Sequence, residues 1–205
     1  VIKLGVGGQI GAGKTEVVKY LQKCFRADGY PTQIINADQI AWQLYLPQKP
    51  IYKRIVKAFG KEILDFEAQI DRAKLGQLVF SCPQKLQLLN KIIQPALIKK
   101  LRQELENPLD SVKILDAALL FTWYLKLPLD LRILVRAPYK AKIERLVKRG
   151  YSEADIKKRL KNQASEREME NLADFVLVND QSLAVLQERT RKLYELIKLY
   201  FSDKL

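Results

Sequence analysis

A chain of 205 residues, 48% of them apolar, is long enough to bury one core and leaves disorder aside. Its 36 Lys and Arg against 23 Asp and Glu give a net charge of +13, which favours an anionic partner without choosing among a phosphate-rich ligand, nucleic acid and a membrane surface. Histidine is absent altogether, so mechanisms using imidazole as base, nucleophile partner or metal ligand are excluded, and Cys24 and Cys82 stand too far apart for a metal-ligand spacing.

Val1 to Val6 is a short β-branched run that breaks at Gly7-Gly8, as a buried strand entering a tight loop does. Six residues ahead of a glycine loop leave no room for a signal peptide, and no run reaches the roughly twenty apolar residues of a membrane span, so a cytoplasmic, reducing setting is expected. From Thr15 the apolar residues Val17, Val18, Leu21, Cys24 and Phe25 recur at helical spacing, ending at Asp28-Gly29. Thr32 to Ile35 reads as a second strand, leading into Asn36-Ala37-Asp38. Between Pro47 and Asn107 the pattern is almost wholly helical, with Pro50, Pro83 and Pro95 as punctuation, and a helical substrate-binding insertion is expected over about 47–107.

Val112 to Asp116, Leu131 to Val135 and Phe175 to Val178 read as three further buried strands, with a short helix from Leu119 to Tyr124 after the first. Ser152-Glu153-Ala154-Asp155 has the form of a cap opening a basic helix. The last helix places Leu183, Leu186, Thr190, Leu193, Ile197 and Tyr200 on one stripe, its expected packing face. Five strands interleaved with helices predict an α/β fold of three layers around a five-stranded parallel sheet, in one domain.

Gly8-Gln9-Ile10-Gly11-Ala12-Gly13-Lys14-Thr15 satisfies the phosphate-binding pattern G-x-x-x-x-G-K-[ST] between a strand and a helix. Gly8, Gly11, Ala12 and Gly13 would turn backbone amides toward phosphate oxygens, Lys14 would reach the terminal phosphates, and the Thr15 hydroxyl would ligate Mg²⁺. Asp38 suits either a base that accepts a proton from an attacking hydroxyl or a helix N-cap. Asp116, at a strand end, suits either a Mg²⁺ site or a cap for the next helix. The stretch from Lys140 to Arg167 carries Arg145, Arg149, Arg159 and Arg167. It reads as a mobile lid over ATP, expected over about 145–170, or as a solvated charged face.

In their order along the chain these motifs resemble the dephospho-coenzyme A kinase family, whose opening G-G-I-G-S-G-K-S is matched by Gly8 to Thr15 and whose D-A-D stretch is matched by Asn36-Ala37-Asp38. Phe59-Gly60, Arg72, Leu75-Gly76, Leu89-Asn90, Ile92, Pro95 and Leu119-Leu120-Phe121 follow the family's middle segments. Arg145, Arg149, Gln163, Ala173-Asp174 and Asn179 follow its lid and nucleotide-side signature. The resemblance implies a P-loop kinase with ATP and Mg²⁺, Asp38 as catalytic base, Arg145 and Arg149 as lid arginines, Asn179 on the nucleotide side, and dephospho-coenzyme A as acceptor. The expected partners are these small molecules, with neither nucleic acid nor membrane, and a monomer is expected. The chain departs from the family at Asn36, Trp42, Gln94, Ala118 and Thr122, mainly on the acceptor side. Another nucleoside or nucleoside-monophosphate kinase would share loop and lid, and the charge would also suit a nucleic-acid-associated ATPase or a degenerate P-loop binding module.

Overall fold

The computed structural model describes residues 1–123 and 127–204. They divide into two compact units, one formed by Val1–Asn36 with Arg102–Leu205 and the other by Ala37–Leu101.

The first unit is built on five parallel strands, β1 (Ile2–Gly7), β2 (Thr32–Asn36), β3 (Val112–Asp116), β4 (Leu131–Arg136) and β5 (Phe175–Val178), in the order β2-β3-β1-β4-β5. The period-two alternation of β1 assigns its faces. Ile2, Leu4 and Val6 are fully buried among Val17, Leu21 and Phe25 of α1 (Lys14–Ala27) and Leu193 and Ile197 of α10 (Leu183–Tyr200). On the opposite face a Cβ at Gly7 would lie 2.6 Å from Cε2 of Phe121 and 2.9 Å from Cβ of Leu120, so only glycine admits the short α6 (Leu120–Trp123) this close to the strand. Helices thus cover both faces of the sheet. In register, Asp116 at the end of β3 stands opposite Val6 of β1 and Asn36 of β2.

The second unit contains α2 (Ala37–Leu44), α3 (Pro50–Phe59), a 3₁₀ turn at Lys61–Ile63, α4 (Arg72–Phe80) and most of α5 (Pro83–Glu106). Ile51, Ile55 and Phe59 of α3 bury against Ile63, Ile70, Leu75, Val79 and Ile92. Asp71 caps α4, its carboxylate accepting from the amides of Ala73 at 2.8 Å and Lys74 at 3.1 Å.

Two expectations are corrected. Pro50 and Pro83 open helices, but Pro95 lies inside α5, where apolar burial of the flanking Ile92 and Leu97 carries the helix across the missing amide. The stretch 47–107 is mostly helical as expected, and its non-helical part includes an isolated antiparallel bridge between Leu64 and Ile70. On α10, Leu183 and Tyr200 are 51% and 81% exposed, whereas Tyr194 is buried. Its ring meets Phe25 edge-on at 4.9 Å and its hydroxyl donates to Asp28 at 2.6 Å. Of the helix expected over Leu119 to Tyr124, Tyr124 lies outside the described residues.

The chain between β4 and β5 forms α7 (Tyr139–Val147), α8 (Glu153–Lys161) and α9 (Glu166–Glu170). Ser152 caps α8 as its sequence predicts, and Ser165 with Glu168 forms a reciprocal capping box on α9.

Candidate active site

The glycine loop leaves β1 and ends at Gly13, the N-cap of α1, with a left-handed φ of 103°. Gly8 also has positive φ, and a Cβ there would sit 2.1 Å from the carbonyl oxygen of Val135; at Gly13 it would sit 2.3 Å from Nδ2 of Asn179. Both positions therefore require glycine twice over, by backbone conformation and by the closeness of a neighbour.

Side chains hold the loop's carbonyl oxygens from outside. Asn179 Nδ2 donates to Ala12 at 2.8 Å, and Arg145 donates to Gly11 at 3.3 Å. The same guanidinium also donates to the backbone oxygen and Oδ1 of Asn179 at 3.2 and 3.1 Å. Lys14 Nζ donates to the carbonyls of Gly8 at 3.0 Å and Gln9 at 3.2 Å. Peptide planes are trans among the described residues, so an oxygen drawn to one side turns the next residue's N–H the other way: tying Ala12 to Asn179 aims the Gly13 amide away from Asn179. Together with the first turn of α1 this makes a concavity suited to an anion.

The Thr15 hydroxyl lies 3.4 Å from Oδ2 of Asp116, bringing a neutral and an anionic oxygen together beside the loop. Such a pair suits a hard divalent cation that keeps water and phosphate oxygens as its other ligands. Among the described residues no cluster of three or more His, Cys, Asp or Glu could hold a metal.

The sequence-predicted arginines separate. Arg145, on α7, is engaged with the loop, whereas Arg149 and Arg167 are exposed and Arg159 lies over the ring of Tyr151 at 5.2 Å. The basic stretch also contains Lys142, which is only 4% exposed, so it is no uniform solvated face. Lys142 pairs with Glu166 at 2.8 Å and donates to the side chain of Gln9 at 2.6 Å. No local signal in the sequence marks Lys142 or Gln9, since their partners are 133 residues apart along the chain.

In the second unit, Asp38 occupies the first turn of α2, which follows β2 without an intervening residue, and it is exposed. Trp42 and Tyr45 follow at helical spacing, their rings meeting edge-on at 5.1 Å. The guanidinium of Arg72 lies over the Trp42 ring, 3.7 Å from its centre. Burial raises the Tyr45 hydroxyl above its ordinary range; the charge of Arg72 opposes this and that of Asp38 adds to it.

Residues 2–185 match the family described as dephospho-CoA kinase. The chain belongs to the dephospho-CoA kinase family. A dephospho-CoA kinase of Aquifex aeolicus is 37% identical over 94% of this chain and 96% of its own. Among solved structures, protein TT1252 from Thermus thermophilus is similar at a TM-score of 0.73, with 30% identity over 94% of this chain and 95% of its own. A dephospho-CoA kinase from Campylobacter jejuni shares the fold at a TM-score of 0.57 and 24% identity, covering 95% of this chain and 96% of its own. The match therefore spans both compact units and agrees with the resemblance read from the motifs.

Proposed function

We propose that this chain transfers the γ-phosphoryl group of ATP to the ribose 3′-hydroxyl of dephospho-coenzyme A, giving ADP and coenzyme A. The observation that carries this reading is a glycine loop whose carbonyls are held by Lys14, Arg145 and Asn179, in a chain that belongs to this family over nearly its whole length.

In this reading the backbone of Gly8, Gly11, Ala12 and Gly13 and the N-terminus of α1 hold the phosphates, and Lys14 exchanges its loop carbonyls for the terminal phosphate oxygens. Thr15 and Asp116 hold Mg²⁺, which when bound neutralises charge on the β- and γ-phosphate oxygens. Asp38 accepts the proton of the 3′-hydroxyl as its oxygen bonds to the γ-phosphorus and the bond to the bridging oxygen of ADP breaks. Arg145 and Asn179 keep the loop open at its nucleotide side. Arg149 belongs to a closing lid over about 145–170, and 47–107 forms the acceptor-binding insertion. The small-molecule partners leave no role for nucleic acid or membrane; the reaction is assigned to the cytoplasm and a monomer. No helix among the described residues is long and apolar enough to cross a membrane.

The test is conversion of dephospho-coenzyme A by the purified chain with ATP and Mg²⁺, with Lys14→Ala as control. A 3′-phosphorylated product formed by the parent alone is expected. Phosphorylation of nucleosides or nucleoside monophosphates in preference to dephospho-coenzyme A would overturn the acceptor assignment.

A further inference from the structure

Gln9 occupies the second position of the phosphate loop, where the family opening carries glycine. Its side chain is 9% exposed and is engaged at both ends: Nε2 donates to the carbonyl of Ala164 at 3.0 Å, and Oε1 accepts from Lys142 Nζ at 2.6 Å. The next residue adds a third fastening, the amide of Ile10 donating to Oε1 of Gln163 at 2.9 Å. Lys142 is itself tied to Glu166 at the start of α9, and Glu166 lies 3.5 Å from Nε of Arg136 at the end of β4.

An ammonium buried this far needs acceptors as well as a counter-charge. Glu166 supplies the charge. Gln9 supplies a neutral acceptor whose other end is a donor, so a single amide bridges α7 and the segment entering α9. Glycine at this position provides neither contact and leaves the bond from the Ile10 amide to Gln163 as the remaining tie named here between the loop and that segment. We infer that Gln9 is a positioning residue for the nucleotide: its side chain fixes the phosphate loop against residues 163–166 and thereby sets polyphosphate affinity without touching the ligand. The inference rests on the reading of the loop as the ATP site and adds to it a residue outside the phosphate-contacting backbone.

The test uses the full chain and its variants Gln9→Met, Gln9→Ala and Lys142→Met, with each Gln9 change also combined with Lys142→Met. A fluorescent ATP analogue reports nucleotide binding, and steady-state kinetics report KM for ATP and for dephospho-coenzyme A. Gln9→Met keeps the volume and removes both hydrogen bonds, so the binding-competent loop conformation falls to about a tenth of the population and analogue binding weakens about tenfold. KM for ATP rises with it, while KM for the acceptor stays within twofold. Because the two side chains act through one contact, the double variants are no weaker than the worse single variant. A merely structural role would lower the melting temperature and the active fraction and leave both KM values in place. Analogue affinity within twofold of the parent in both Gln9 variants, equal loss for ATP and acceptor, or strict additivity with Lys142→Met overturns the inference. If the parent binds the analogue but makes no coenzyme A, the acceptor assignment falls and the binding comparison still decides this one; if the parent binds no ATP, both fall.

Discussion

The two compact units fix their chemistry-bearing side chains by different means. Around the glycine loop the contacts are directional hydrogen bonds to backbone carbonyls, from Lys14, Arg145 and Asn179, with Gln163 accepting from a loop amide. In the second unit, Trp42 meets a ring and a guanidinium, Tyr45 and Arg72, and the charge of Asp38 reaches Tyr45. A phosphate cradle is made of main chain, so every peptide plane must be oriented, and few side-chain geometries do this. Side-chain packing of the second kind tolerates exchange more readily. Of the departures from the family pattern, Trp42 and Gln94 fall in this second unit and Asn36, Ala118 and Thr122 in the first.

Four experiments bear on that contrast. The largest effect is expected from Asp38→Asn, which lowers kcat by about 10²–10⁴-fold, the range for losing a general base, with affinity for a fluorescent ATP analogue within twofold. Near-normal turnover would remove Asp38 from the reaction and leave the first unit to supply the base. Next, Asn179→Ala frees the Ala12 carbonyl, so the loop holds its binding-competent shape about a tenth of the time and nucleotide binding weakens about tenfold, with acceptor KM unchanged. Trp42→Ala gives the mirror image: acceptor KM rises about fivefold, the scale of a lost cation–π contact holding Arg72, while ATP binding stays put. A Trp42 variant that shifted ATP and acceptor equally would dissolve the proposed division between units.

The smallest effect is expected away from both sites. The Asp28 carboxylate accepts from Lys198 at 2.5 Å and from Tyr194 at 2.6 Å, and these two bonds hold its pKa below the usual carboxylate range. A folded-state value depressed in this way stabilises above the ordinary Asp value of about 3.9, and the stabilisation disappears as pH falls through the folded value. Thermal melts of Asp28→Asn should therefore show a small deficit at pH 7 that closes on acidification, with both KM values unaltered. A deficit that widens in acid would contradict the depressed carboxyl.

The five strands are legible because each is a short run of buried apolar residues bounded by turn chemistry, and the loop because its glycines and lysine are contiguous. Pro95 misleads because the rule for proline describes one missing hydrogen bond, while a 24-residue helix has many others and an apolar face to bury. Tyr194 is hidden for a related reason: it lies one residue beyond Leu193 on the stripe, and its partners Phe25 of α1 and Asp28, which caps that helix, are distant in sequence. Lys142 reads as one more cation in a basic stretch, and what distinguishes it is burial against Glu166 and Gln9, contacts that no local pattern records. Asn179 is found by family resemblance, and its geometry supplies the reason: its amide fixes a carbonyl 167 residues earlier in the chain.

The strand that feeds the loop is the middle one of five, bonded on one edge to β3 and on the other to β4. Hydrogen exchange should therefore place its amides in the slowest class in the molecule, opening only with the sheet. The strand beneath the phosphate cradle is consequently as durable as the sheet itself, whereas Arg145 on α7 and the residues that hold Gln9 belong to more peripheral segments. Nucleotide binding lost on heating before this strand exchanges therefore reports on those segments and not on the sheet.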